Sequence, residues 1–165
     1  MNPKLANSCL ELLSLYLRLD MDSGQVFRTL IDDWFAYSNG GHYLNKKGKP
    51  VWFNNPDPAK LRDALLGMHY KSIDAKRLID SGKKGLVKDH SVPVGKLEQL
   101  LKRPEQDKSP DGVRTFLENH YRLGVLTKEQ HILLNGKLKS DMPGGWDGRD
   151  LQARYKATNI EIWVE

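Results

Sequence analysis

The stretch YRLGVLTKEQH, residues 121–131, indicates a strand that continues directly into a helix. Its first six residues, 121–126, are mostly apolar and match a short strand. Thr127 and Gln130 then have the spacing of a capping box, in which each side chain accepts a backbone N–H at the start of a helix. His131 lies on that helix. A strand joined to a helix in this way predicts a fold that contains both a sheet and helices.

Most of the remaining chain has the periodicity of amphipathic helices. Residues 4–20 and 25–37 place apolar side chains three and four positions apart, and the joint at Ser23 and Gly24 predicts an antiparallel helix pair. Further helices are predicted from Pro58 behind the cap Asp57, from Ile73 behind the cap Ser72, over 94–102, around Phe116 and Leu117, and around Ala153 and Tyr155.

Four segments are predicted to form a small antiparallel or mixed sheet. They are a hairpin over 42–55 with a lysine-rich tip, and strands over 85–89, 121–126 and 160–164. The predicted fold class is therefore α+β, a helix-rich single domain over 1–165. Its parts are an N-terminal helical pair (4–37), a basic middle (46–103) and a C-terminal α/β part (113–165), with an exposed loop over 103–112.

The positive charge is concentrated in the middle of the chain. The protein has 26 Lys and Arg against 21 Asp and Glu, and residues 46–103 alone carry 14 basic and 6 acidic side chains. The segments before and after this region have net charges of −2 and −1. Such a basic region attracts the phosphates of a nucleic acid or an acidic protein. The alternative is a solvated lysine surface that has no partner.

Several classes of protein do not match the sequence. No apolar run approaches the roughly 18 residues of a membrane span, so no membrane association is expected. The single cysteine, Cys9, excludes an internal disulfide framework, and its apolar helix face predicts a buried structural thiol. Glu11 and Arg18 interrupt the N-terminal apolar run, which therefore differs from a signal peptide, and the expected location is the cytoplasm.

The segment VKDHSVP, residues 87–93, places Asp89 and His90 at the end of a predicted strand. An aspartate beside a histidine can offer a metal ligand and a general base to one phosphate group. This segment resembles the first half of the HNH, or ββα-metal, nuclease motif. Residues 125–131 run from strand to helix, as the second half of that motif does.

The HNH resemblance implies roles for four residues. They are His90 as the general base, Asn119 as a loop-steadying residue of the catalytic set, and Asp89 and His131 as ligands of Mg²⁺ or a similar divalent metal. The chain departs from the motif in three respects: a predicted helix over 94–102 follows the Asp-His pair, the gap to Asn119 is long, and the cysteine pairs of many members are absent.

The residues alone also allow a plainer interpretation of the same segment. In it, Asp89 accepts backbone N–H groups at a helix-entry turn, His90 is solvated, and His131 is an ordinary partly buried histidine. His42, His69 and His120 are predicted to be structural or surface residues. The stretch from Met142-Pro143 through Trp146-Asp147 to Ala153-Arg154-Tyr155 is similar to a pattern of uncharacterised bacterial proteins, which implies a family but no chemistry.

Six lysines form the second candidate feature. Lys46, Lys47 and Lys49 lie at the hairpin tip, and Lys83, Lys84 and Lys88 precede or adjoin the Asp-His pair. Tyr43 and Trp52 flank the tip, either as stacking platforms for single-stranded nucleic acid or as a cross-strand pair packed on the helices.

Two function hypotheses follow, and the oligomeric state stays open in both. The first is a nucleic-acid-associated protein with a metal-dependent phosphodiesterase site of HNH type. The second is a non-catalytic binding module that acts on an acidic protein partner, for example in a bacterial or phage system of defence or counter-defence.

Overall fold

The computed structural model describes residues 2–39 and 58–164, in which helices predominate and three short strands form one sheet. The elements are α1 (Pro3–Arg18), α2 (Gly24–Ser38), α3 (Pro58–Leu66), β1 (Tyr70–Lys71), α4 (Ile73–Asp80), β2 (Leu86–His90), α5 (Val94–Leu101), α6 (Pro110–His120), β3 (Leu123–Thr127), α7 (Lys128–Leu138) and α8 (Ala153–Ala157). The prediction of a helix-rich α+β fold with a small mixed sheet is confirmed. Within the described ranges, no helix is both long and apolar enough to cross a membrane.

Some predictions fall outside the described residues. They concern the hairpin over 42–55, the cap Asp57, and the tip lysines Lys46, Lys47 and Lys49.

Contacts between residues divide the chain into two compact units, each of which is formed by two separate segments of the sequence. The first, here called the helical unit, comprises Met1–Val51 and Val94–Tyr121. The second, the sheet unit, comprises Trp52–Pro93 and Arg122–Glu165. The segment that contains α5 and α6 is therefore inserted between β2 and β3. The basic middle predicted over 46–103 contributes to both units, and the single domain stays a prediction.

The helical unit is built on the two N-terminal helices, as their periodicity predicts. Leu10 and Leu13 of α1 and Phe27 and Ile31 of α2 are fully buried. The hydroxyl of Tyr16 donates to Glu98 of α5 at 2.7 Å and accepts the N–H of Ser23 at 2.7 Å. One phenol thus ties α1 to the start of α2 and to α5.

The sheet unit is organised around β3, all five residues of which are buried. β1 pairs with it in parallel and β2 in antiparallel fashion, which gives the strand order β1-β3-β2. Thr127 ends β3 and caps α7, and the capping box with Gln130 is present. Ser72 likewise caps α4 through its hydroxyl. Both caps are confirmed predictions.

The structure corrects two predictions about the sheet. Residues 160–164 do not form a strand: they make one isolated bridge, between Ser72 and Ile162. Ser72 lies between the two-residue strand β1 and α4, which begins at Ile73, so the extended backbone opposite this segment is too short for a longer ladder. β1 itself was not predicted.

Two element boundaries also differ from those predicted. The loop predicted over 103–112 ends earlier, because Ser109 caps α6 and Pro110 occupies its first turn. Tyr121 ends that helix, so β3 begins at Leu123 and not at residue 121.

Candidate functional site

Asp89 and His131 approach each other in the sheet unit, across the arrangement β2–β3–α7. Asp89 lies opposite Gly124 in the antiparallel pair of β2 and β3, and His131 lies in the first turns of α7. His131 Nε2 is 3.9 Å from Asp89 Oδ1. The side chain of Asp89 is 7% exposed and that of His131 is 30% exposed, so the pair opens to solvent on the histidine side.

The other carboxylate oxygen of Asp89 has two partners from α8. The Tyr155 hydroxyl donates to Oδ2 at 3.0 Å, and Arg154 Nη1 lies 3.3 Å from the same atom. Burial, followed by the charge of Asp89, raises the pKa of Tyr155 well above its usual value, so the phenol stays protonated and donates. This arrangement fixes the orientation of the carboxylate and leaves Oδ1 on the side of His131.

Arg154 is almost fully buried and joins three elements of the sheet unit. Its Nη1 donates to the carbonyl of His90 at 2.7 Å, and its Nε and Nη2 donate to the carbonyl of Leu138 at 3.1 and 2.8 Å. The guanidinium therefore ties the end of β2 to the carbonyl end of α7, where a cation is favourable. Sequence reasoning noted Arg154 only as part of a pattern and gave it no role.

Gly124 makes room for this network. A Cβ atom built at Gly124 would lie 2.4 Å from the Tyr155 hydroxyl, which passes over the strand to reach Asp89. The glycine at this position of β3 is therefore required by the close approach of the phenol.

The predicted site residues fare differently. Asp89 and His131 are brought together. The helix-entry turn and the solvated His90 of the plainer interpretation are wrong, because Asp89 and His90 are both buried in β2, whereas His131 is partly buried, as that interpretation expected. His90 is the last residue of that strand, and its catalytic role stays a prediction. Asn119 is exposed on α6, in the helical unit, and its role also stays a prediction.

Asn135 was missed by sequence reasoning. It lies one turn beyond His131 on α7, and its Nδ2 is 3.2 and 3.3 Å from the two ring nitrogens of that histidine. The i,i+4 spacing on a helix is the signal that could have found it. An amide at this position can hold the imidazole.

His69, His120 and the thiol of Cys9 have structural partners, whereas His42 lies outside the described residues. Burial and the nearby cations Arg122 and Lys71 lower the pKa of His69 to about 4. Part of His69 faces solvent, but its neutral ring accepts the N–H of Leu123 through Nδ1 at 3.1 Å. The ring of His120 stacks on Phe116. Burial raises the pKa of Cys9 to about 11, so it remains an unreactive thiol.

The described lysines of the candidate patch belong to the sheet unit. Lys83 and Lys84 are exposed in the turn before β2, and Lys88 is half-buried on that strand. Within 58–93 and 122–164 the sheet unit carries 15 basic and 9 acidic residues, whereas residues 2–39 and 94–121 of the helical unit carry 8 and 10. The excess of positive charge therefore accompanies the Asp89–His131 pair.

Comparisons with models of protein families, with curated proteins and with solved structures find no match to this chain.

Proposed function

We propose that the sheet unit is a divalent-metal-dependent phosphodiesterase that acts on nucleic acid. The observation that carries this proposal is the approach of Asp89 Oδ1 and His131 Nε2 to 3.9 Å across two antiparallel strands and the helix that follows them. The element order β2, β3, α7 also supports the proposal, because the HNH resemblance implies two strands followed by a helix. In this chain α5 and α6 are inserted between the two strands.

The donor atoms fit a divalent cation that keeps part of its hydration shell. The carboxylate oxygen suits Mg²⁺ or Mn²⁺, which water and phosphate oxygens would also contact, and the imidazole nitrogen favours a transition metal such as Mn²⁺ over Mg²⁺. In the part of the chain that the structure describes, no three His, Cys, Asp or Glu side chains form a metal-binding group. Asp89 and His131 would therefore hold the ion, which when bound would stabilise charge on the phosphate and on the leaving oxygen.

The surrounding side chains of this unit position the pair. Arg154 and Tyr155 engage Oδ2 of Asp89 and so direct Oδ1 toward His131, in the manner of the outer partners of metal ligands. His90 is our proposed general base. Asp89 and His90 are successive residues of β2, and successive side chains of a strand point to opposite faces of the sheet. The role of general base therefore requires the His90 imidazole to pass around the end of β2 to the face on which the Asp89 carboxylate lies.

The second candidate function is a non-catalytic module that binds an acidic protein. A specific observation favours it: the buried carboxylate of Asp89 already has a guanidinium and a phenol as partners. A buried carboxylate that is paired and hydrogen-bonded is explained by stability alone. In that case the positive charge of the sheet unit serves to attract the acidic partner.

Metal titration and cleavage assays on one set of variants separate the two functions. His131→Ala removes a ligand on the exposed side of the site, and His120→Ala is the matched control on α6. We expect His131→Ala to weaken Mn²⁺ binding, measured by calorimetry, by at least about tenfold. It should reduce Mg²⁺-dependent cleavage of DNA or RNA by at least about a hundredfold, while His120→Ala changes neither.

His90→Ala supplies the complementary result. It should abolish cleavage and leave Mn²⁺ binding unchanged, because a general base is not a ligand. If the wild-type protein binds no Mn²⁺ and cleaves neither DNA nor RNA, the phosphodiesterase is excluded. Binding of an acidic polypeptide by the same preparation then supports the second function.

A further inference from the structure

Three exposed leucines of α1, together with Leu19 at its C-cap, form a stripe whose spacing is that of a helix–helix interface. Leu5, Leu12 and Leu19 are seven residues apart, and Leu15 lies between the last two; we call these four the leucine stripe. Their exposed fractions are 40, 52, 63 and 44% in the order Leu5, Leu12, Leu19, Leu15. In heptad notation Leu5, Leu12 and Leu19 occupy a positions, and Ser8 and Leu15 occupy d positions.

The stripe is distinct from the face of α1 that packs in the helical unit. The buried face carries Leu10, Leu13 and Leu17, which are at most 3% exposed. Single exposed leucines are ordinary on protein surfaces, whereas four on one side of the same helix are a candidate contact face. Apolar side chains that repeat every 3.5 residues are typical of a helix that packs lengthwise against another helix.

The charges beside the stripe favour a second copy of the chain in the antiparallel direction. One border, the g positions, is exposed and carries Lys4, Glu11 and Arg18, whereas the e positions Cys9 and Tyr16 are buried in the helical unit. Parallel helices would set g against e, and Glu11 would face a buried phenol. Antiparallel copies set g against g, so that Glu11 of each copy faces Arg18 of the other.

We propose that a second copy of this chain docks antiparallel on the leucine stripe. Leu12 of each copy packs against Leu15 of the other at the centre, and Leu19 packs against Ser8 on either side. The twofold axis duplicates the Glu11–Arg18 pair. The proposed contact comprises only a few side chains of one helix in each copy, so we expect a weak dimer, with a dissociation constant of roughly 10–100 µM.

Sedimentation equilibrium of the full chain at roughly 5–500 µM tests the proposal. We expect a monomer–dimer equilibrium that the combined change Leu12→Asp and Leu15→Asp abolishes. The control is Ile132→Asp, which alters an equally apolar side chain that is 71% exposed on α7 and should leave the equilibrium unchanged.

The charge pair provides a second test that does not alter the apolar stripe. Glu11→Arg and Arg18→Glu should each weaken the dimer about five- to tenfold, and the double exchange should restore it to within about threefold of wild type. A wild-type chain that stays monomeric to about 500 µM overturns the proposal. A double exchange that is no tighter than the single changes overturns the antiparallel arrangement.

Discussion

The carboxylate of Asp89 has its two oxygens in different environments. Oδ2 is engaged by Arg154 and Tyr155 inside the sheet unit, and Oδ1 faces the partly exposed His131. Removal of one partner from a buried ion pair costs about 3–5 kcal/mol. Changes at Asp89 or Arg154 therefore affect stability in both candidate functions, and His131, on the exposed side, is the residue at which the two functions predict different results.

Gly124 allows a prediction about the packing of this network. Gly124→Ala should lower the free energy of unfolding by about 1–3 kcal/mol, because the new methyl group would meet the Tyr155 hydroxyl at 2.4 Å. Tyr155→Phe removes that oxygen, so the cost of Gly124→Ala should be smaller in the Tyr155→Phe background. Urea denaturation of the four proteins gives the interaction energy.

The control for this prediction is Gly136→Ala on α7. Nothing lies within 4 Å of a Cβ atom at Gly136, so alanine there should stabilise the protein by up to about 1 kcal/mol through its helix propensity. Equal costs of Gly124→Ala in both backgrounds would show that the phenol does not limit the space at β3.

The sequence predicts several local features correctly: the helices, their caps and the strand-to-helix stretch around Thr127. It does so because each of these features depends on residues that are close together in the chain. Spacings of three and four predict α1 and α2, and the hydroxyl of Thr127 bonds to a residue only three positions away. β1 could not be predicted in this way, since Tyr70 and Lys71 show no alternation and form a strand only by pairing with β3.

The candidate site was predictable in part for the same reason. Asp89 beside His90 is a local signal, and residues 125–131 carry the second half of the resemblance. The role of Arg154 depends on the carbonyls of His90 and Leu138, which are 64 and 16 positions away in the sequence. Sequence order also could not show that α6, which carries Asn119, belongs to a different compact unit from β2.

Two neighbouring leucines of α1 test the assignment of its faces. Leu13 is fully buried and Leu12 is 52% exposed. Leu13→Asp should destabilise the helical unit by several kcal/mol, about 3–5, because it buries an unpaired charge. Leu12→Asp should change the unfolding free energy by less than about 1 kcal/mol. Urea denaturation at low protein concentration, where monomers prevail, measures both; equal effects would mean that the buried face of α1 is wrongly assigned.

On the scale of the whole molecule, the net charge differs between the two compact units. The described residues of the sheet unit have a net charge of +6, and those of the helical unit have −2. A nucleic acid is attracted by local positive potential more than by the charge of the whole chain. The affinity for nucleic acid should therefore fall more when positive charge is removed from the sheet unit than when the same amount is removed from the helical unit.

Two double variants with the same change in net charge test this expectation. Lys83→Glu with Lys84→Glu reverses exposed charges of the sheet unit, and Arg28→Glu with Arg103→Glu reverses exposed charges of the helical unit. The first variant should weaken nucleic acid binding at about 50–100 mM salt by at least about tenfold and reduce the slope of log affinity against log salt by about 1–2, because two phosphate contacts are lost. The second should change affinity by less than about threefold, because it alters charge away from the contact. Fluorescence anisotropy of a labelled oligonucleotide measures both, and equal losses in the two variants would show that only the total charge matters.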